Sequence, residues 1–332
     1  MENTRVILKR RPVGEATSDC FAVESEILGA LPPGKLRVGV EYISVDAGTR
    51  TMLRGEGFHM QVGIGEPILA GGVGRILESN VEGWEPGQAV RGGLCAQTIA
   101  TVSPEQLEKI EETHLPLSAW LGVLGGSTGV TAWIGVRRVA KPGPGEVFVV
   151  SAAAGAVGSI AGQIAKRDGA SVIGIAGGQR KTDYLTNELG FDAAIDYKSE
   201  DMGARLKELA PEGVNVFFDN VGGAVLDAVL DNIAMRSRVV ICGAVSQYDD
   251  MDNVSGPSMY LRLAERQSIM EGFAYFHFPE SIPEATRELK DWAMEGSIAM
   301  PEEILDGIDR YPDALQFMFQ GGNLGKLLVK AH

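Results

Sequence analysis

The chain has 332 residues, 45% hydrophobic and 22% charged, which is enough for two domains with sizeable cores. Its formal net charge is −14 with no compensating basic stripe, so nucleic acid is excluded as a partner and the acidity reads as solubility. No apolar run approaches the roughly 18 residues of a membrane span, and Cys20, Cys95 and Cys242 are too scattered, and odd in number, for a disulfide framework.

Residues 1–8 run straight into a strand-like segment with no leader-like apolar core, so a reducing cytoplasm is the expected compartment. Residues 38–45 alternate as a half-buried strand, and 68–78 carry glycines where strands bend or bulge. Residues 83–91 read as a turn feeding another strand, and together these segments suggest a compact, barrel-like β unit. From about Trp120 the period changes. A helical segment at 129–136 leads through the Pro/Gly turn 141–145 into alternating strands and helices. Strands are expected at 146–151, 171–176, 193–196, 214–218 and 237–243, with a sixth around 268–275. This is α/β spacing, and it implies a doubly wound parallel sheet with right-handed crossovers. An amphipathic helix follows at 285–295, and the turn at 323–326 leads into a last strand. That strand would return to the first β unit, giving a discontinuous domain of 1–125 with 295–332 around a nucleotide-binding domain of 126–294.

The most informative stretch is 146–158. A β-branched run ends at small residues and passes through Gly155-Ala156-Val157-Gly158 into a helix of small and apolar residues. Strand, glycine turn and helix start together make a phosphate site: the first helical N–H groups are unpaired, the dipole favours an anion, and glycine admits close backbone approach. An NAD site would place a carboxylate at the end of the second strand. Here that strand ends in Gly177-Gly178-Gln179-Arg180-Lys181, where Lys181 suits a 2′-phosphate and points to NADP; the alternative is a solvated basic helix start.

The glycine turn, Asp196-Tyr197-Lys198, Phe218-Asp219-Asn220-Val221-Gly222-Gly223, Cys242-Gly243-Ala244-Val245-Ser246-Gln247-Tyr248 and Asn323-Leu324-Gly325-Lys326 occur in this order. As a set they resemble the zinc-independent medium-chain dehydrogenase/reductases, in the branch of NADPH-dependent alkenal, prostaglandin and curcumin reductases. The similarity is strongest from about Thr131 onward. The resemblance implies a GroES-like β-rich domain beside a Rossmann domain, with the active site in the cleft, and a homodimer. It implies that Gly155, Ala156, Val157 and Gly158 hold the pyrophosphate, and that Lys181 and Tyr197 lie at the adenosine phosphate. Asn220 would stand beside the ribose or nicotinamide, Cys242, Gly243, Ala244 and Ser246 would line the nicotinamide end, and Asn323 would approach from the closing strand. Each has a plainer reading beside it. Asn220 and Asn323 are turn residues in their own right, Tyr197 suits a half-buried strand end, and Cys242 would lend its backbone rather than its thiol.

Tyr248 is the expected catalytic residue. Conjugate reduction delivers hydride to the β-carbon of an enone or enal and gathers negative charge on the carbonyl oxygen. A hydroxyl aimed there stabilises the enolate or supplies a proton; simple packing of a loop tyrosine is the alternative. No metal is expected, since His59, His114, His277 and His332 stand alone and three scattered cysteines cannot build a zinc lobe. The branch usually carries Asp-Pro-Tyr-Met-Arg in its first domain. Here 46–50 read Asp-Ala-Gly-Thr-Arg, which removes an aromatic pocket wall and leaves Arg50 as a surface or interdomain ion partner. Phe58 and Met60 in the glycine-rich loop 55–65 would flank the entrance or pack in the core. The expected function is NADPH-dependent reduction of an α,β-unsaturated ketone or aldehyde. The alternatives are a zinc-free quinone reductase and a non-catalytic NADPH-binding protein.

Overall fold

The structure is a computed structural model that describes residues 1–56 and 60–332. The chain forms two compact units, Met1–Gly122 with Glu302–His332, and Val123–Pro301.

In the first unit, β1 (Glu2–Leu8) and β2 (Phe21–Ile27) form an antiparallel pair. A larger sheet is built on β3 (Leu36–Ser44), with β4 (Gly71–Ser79), β5 (Ala89–Gly93), β6 (Ile99–Val102) and β7 (Leu107–Lys109). The half-buried alternation expected over 38–45 holds from Val38 to Glu41 and lapses at Ile43, Ser44 and Val45, which are all buried. Leu36, Val38, Val40 and Ile43 are fully buried and the residues between them are mostly half-covered, so one face of β3 carries the core. The glycines of β4 serve close approach. A Cβ on Gly74 would stand 2.0 Å from the Gly39 carbonyl oxygen, beside a bulge in the β3–β4 register.

The second unit carries β8 (Val147–Ser151), β9 (Ser171–Ala176), β10 (Ala193–Asp196), β11 (Val214–Asp219), β12 (Ile233–Ile241) and β13 (Ile269–Gly272). Every pairing is parallel, in the order β10-β9-β8-β11-β12-β13. This is the Rossmann winding, whose order reverses between β8 and β11; ligands of such sheets sit at the carboxyl ends there. The strands read as apolar runs because both faces are covered. Phe148, Val149, Val150, Phe217 and Phe218 are fully buried, and each such side chain contributes roughly 1.5–3 kcal/mol. β12 begins at Ile233, not near 237. After Ile233 and Ala234, the segment Met235-Arg236-Ser237 forms a bulge in which Arg236 takes φ 59° and Val214 and Val216 pair with Ile233 and Arg238.

The Ile282–Met294 helix follows, and β14 (Glu302–Asp306) and β15 (Lys326–Lys330) then rejoin the first unit. β15 pairs antiparallel with β3 and parallel with β14. In the first unit the buried Arg50 donates to the Gly14 carbonyl at 2.6 Å, which corrects its expected surface placement. Asp46 accepts from the buried Lys326 ammonium, also at 2.6 Å.

Candidate active site

The carboxyl end of β8 is Ser151, and Ala152 after it takes a left-handed φ of 47°, strain of a kind stored at functional turns. The turn closes with the Gly155 N–H donating to the Ala152 carbonyl at 2.9 Å, and Gly155 is the extended residue before the Ala156–Arg167 helix. Ser159 is the first residue to bond back, to the Gly155 carbonyl at 3.1 Å. The N–H groups of Ala156, Val157 and Gly158 are therefore left for an outside acceptor. No side chain caps this helix and no acidic residue stands in its first turn, so nothing competes with an anion for these donors. Gly158 lets the helix lie on the turn: a Cβ there would stand 2.4 Å from the Ala152 carbonyl oxygen. This donor set fits a pyrophosphate.

At the end of β9, Gly178 leads into the short Gln179–Asp183 helix that carries half-buried Lys181 and exposed Arg180. Tyr197, 49% exposed after β10, lies with its ring edge against Gly177, and the Lys198 stem packs on the same glycine. Asp196, the acidic side chain bonded to Gly178, is occupied. It accepts from the Gly178 N–H at 2.7 Å, the Ser199 hydroxyl at 2.8 Å and the Lys198 N–H at 3.0 Å. The Gly178 bond above all holds its pKa below the usual carboxylate range. A carboxylate so engaged is not offered to a ribose diol, while the basic side chains suit a 2′-phosphate. Lys198 of the Asp-Tyr-Lys motif stands at the same corner through its packing on Gly177.

The remaining groups meet at the ends of β8, β11 and β12. The Asn220 side-chain amide donates to the Ser151 carbonyl at 2.8 Å, and its backbone N–H donates to the Ser151 hydroxyl at 2.8 Å. Asn220 keeps a negative φ, so it is not a left-handed turn residue. The backbone N–H groups of Cys242 and Gly243 donate to the Asp219 carbonyl at 2.8 and 3.1 Å. Burial, helped by the Asp219 charge, pushes the Cys242 thiol up to about 12, so it carries no thiolate near neutrality. The Ser246 hydroxyl donates to the Val221 carbonyl at 2.6 Å, locking the two loops together.

Half-buried Tyr248 folds back over the start of its own loop. Its hydroxyl oxygen accepts from the Ala244 N–H at 3.2 Å, which leaves the phenolic proton to donate elsewhere. Burial raises its pKa above the tyrosine value of 10.0, so the group is a donor and not a base. Asn323 belongs to the first unit, is buried, and donates from its amide to the Gly325 carbonyl of its own turn at 2.8 Å. Phe58 and His59 lie outside the described residues, and Met60 is 74% exposed. Among the described residues no three His, Cys, Asp or Glu side chains converge as metal ligands.

A reversed parallel sheet, a bare helix start and a basic corner after the second and third strands define a dinucleotide-binding protein of the Rossmann class. A family model described as a zinc-binding dehydrogenase matches residues 156–291, and one described as the N-terminal domain of oxidoreductase matches 4–110. A 2-alkenal reductase (NADP(+)-dependent) from Nicotiana tabacum is 36% identical over 336 residues, 99% of this chain and 97% of that protein. An NADPH-dependent curcumin reductase from Escherichia coli is 32% identical over 335 residues, 99% and 96% of the two chains. The crystal structure of CurA in complex with NADPH from Vibrio vulnificus superposes with a TM-score of 0.93 at 31% identity, covering 99% of each chain. The chain belongs to the medium-chain dehydrogenase/reductase family, in the branch of the NADPH-dependent alkenal, curcumin and prostaglandin reductases, and is an oxidoreductase.

Proposed function

We propose that this protein reduces the carbon–carbon double bond of α,β-unsaturated ketones or aldehydes with NADPH, without a metal, and that Tyr248 is its catalytic donor. When bound, NADPH supplies hydride from C4 of its nicotinamide. The chain's own residues do the rest. The amides of Ala156, Val157 and Gly158 take the pyrophosphate, and Lys181, Tyr197 and Lys198 take the 2′-phosphate end. Asn220 and the backbone of 242–244 line the nicotinamide side. Tyr248 directs its free proton at the substrate carbonyl oxygen, stabilising the enolate as charge develops. The homodimer that would accompany this reading forms along β13, and the three unpaired thiols suit a cytoplasmic, reducing setting.

The observation that carries the reading is the Tyr248 hydroxyl. It is held by a backbone N–H through its oxygen, and burial keeps it protonated. The test is NADPH consumption against a graded set of enals, enones and quinones by the wild type and Tyr248→Phe. Enal and enone turnover should fall at least about 100-fold in the variant, the size of effect that a positioned acid or oxyanion donor has. Quinone turnover equal to that on enones, surviving the substitution, would favour a quinone reductase. Tight NADPH binding with no turnover on any substrate would leave a non-catalytic binder.

A further inference from the structure

Asp219 is a carboxylate with no exposed surface at the end of β11, and the donor role of Tyr248 does not by itself account for it. No cation pairs with it among the described residues. Its Oδ1 accepts from the Ser151 hydroxyl at 2.8 Å and the Val221 N–H at 2.9 Å, and the Gly222 N–H reaches both carboxylate oxygens at 3.1 and 3.0 Å. Its backbone carbonyl takes the N–H groups of Cys242 and Gly243. The Ser151 hydroxyl passes the contact on, accepting from the Asn220 N–H. The carbonyls of Asn220 and Val221 then take the N–H groups of Val245 and Ser246, both at 3.1 Å. The carboxylate thus joins the end of β8 to the turn after β11 that carries Asn220, and the main-chain carbonyls of Asp219 and that turn hold the loop after β12 that carries Tyr248.

A buried carboxylate resists ionisation, and burial does raise the pKa of Asp219. A fold that only needed a strand end would place an apolar or amide side chain there. An all-acceptor group earns its place where several N–H and O–H donors from different loops must converge on one point.

We propose that Asp219 is the positioning residue of the active site, fixing the Tyr248 loop against the Asn220 loop before substrate binds. The proposal rests on the reading of Tyr248 as donor, through which Asp219 acts. Asp219→Ala should lower kcat on an enone about 10–100-fold while the KM and the calorimetric Kd for NADPH stay within about threefold. Asp219→Asn keeps an acceptor oxygen for Ser151 and Val221 and should return kcat to within about threefold of the wild type. In a Tyr248→Phe background Asp219→Ala should cost less than about threefold, because the group it positions is gone. Hydrogen exchange on the protein without cofactor should quicken at 220–223 and 242–248 and stay unchanged in β9 and β10. Should Asp219→Ala fail to fold, Ser151→Ala takes its place in the same cycle. Full activity in Asp219→Ala, or the same loss repeated in the Phe background, overturns the proposal while leaving the proposed function intact. A wild-type protein inert toward every enone and enal overturns the proposed function, and this inference with it.

Discussion

Tyr248 has one proton to give, and the Ala244 N–H occupies an oxygen lone pair without taking that proton. Burial acts first on its ionisation and favours the neutral phenol, with the nearby Cys242 and Asp219 adding to the shift and the Ala244 bond opposing it. The sign follows directly. A base must lose its proton to work and would gain activity with rising pH; a donor is already competent and loses activity only above its raised pKa. The ratio of wild-type to Tyr248→Phe kcat/KM should therefore stay constant from about pH 6 to about pH 9. A ratio that climbs with pH would mark the hydroxyl as a base and remove it as donor. At the other end of the cofactor, Lys181→Ala should raise KM for NADPH about 10-fold or more and leave KM for NADH unchanged, the loss expected of one charge-assisted hydrogen bond. Equal changes for both coenzymes would take the 2′-phosphate away from Lys181.

At the scale of the element, the Ala156–Arg167 helix binds through its position more than its side chains. Its start must touch the end of β8 for three amides to face one anion, and Gly158 is where the touching occurs. Gly158→Ala would drive a methyl to 2.4 Å from the Ala152 carbonyl oxygen, so the helix start must lift. The expected result is a loss of about 1–3 kcal/mol in unfolding free energy by overpacking, with NADPH Kd weakened at least about 10-fold by calorimetry. Unchanged affinity would mean that the amides are not the pyrophosphate site. This element was legible in the sequence because strand, turn and helix are contiguous, and apolar runs likewise exposed β8, β9, β10 and β11. The start of β12 was not legible, since the bulge at Arg236 puts exposed Met235 and Arg236 inside the strand. Asp219 and Ser151 stood in plain view within their segments, yet their bond spans 68 positions and exists only because β8 and β11 are neighbours in the sheet. Local pattern names the strand ends; which of them meet is a property of the winding. The depth of Arg50 was missed for a similar reason, because its partner is a backbone carbonyl 36 residues away.

At the scale of the whole molecule, the parallel sheet of the second unit stops at β13, which is paired on one side only, to β12. All four of its residues are exposed, with Ile269 at 62% and Met270 at 38%, and Leu261 in the short helix before it at 61%. An apolar strand edge with a row of unpaired N–H and C=O groups is a surface that natural proteins blunt or pair. Here no proline interrupts the strand, and its single charged side chain is Glu271. Pairing with a second copy across a two-fold axis would continue the sheet and cover Ile269. The charge of −14 on each copy opposes this at long range, so association should tighten as salt screens the repulsion, the direction opposite to that of an ion-paired interface. Light scattering at micromolar concentration should give twice the chain mass, more completely at about 0.5 M salt than at about 0.02 M. Ile269→Lys, which places a charge on that edge, should give the monomer mass while NADPH affinity is retained. A wild-type monomer at both ionic strengths would remove the dimer, and a dimer that survives Ile269→Lys would move it to another face.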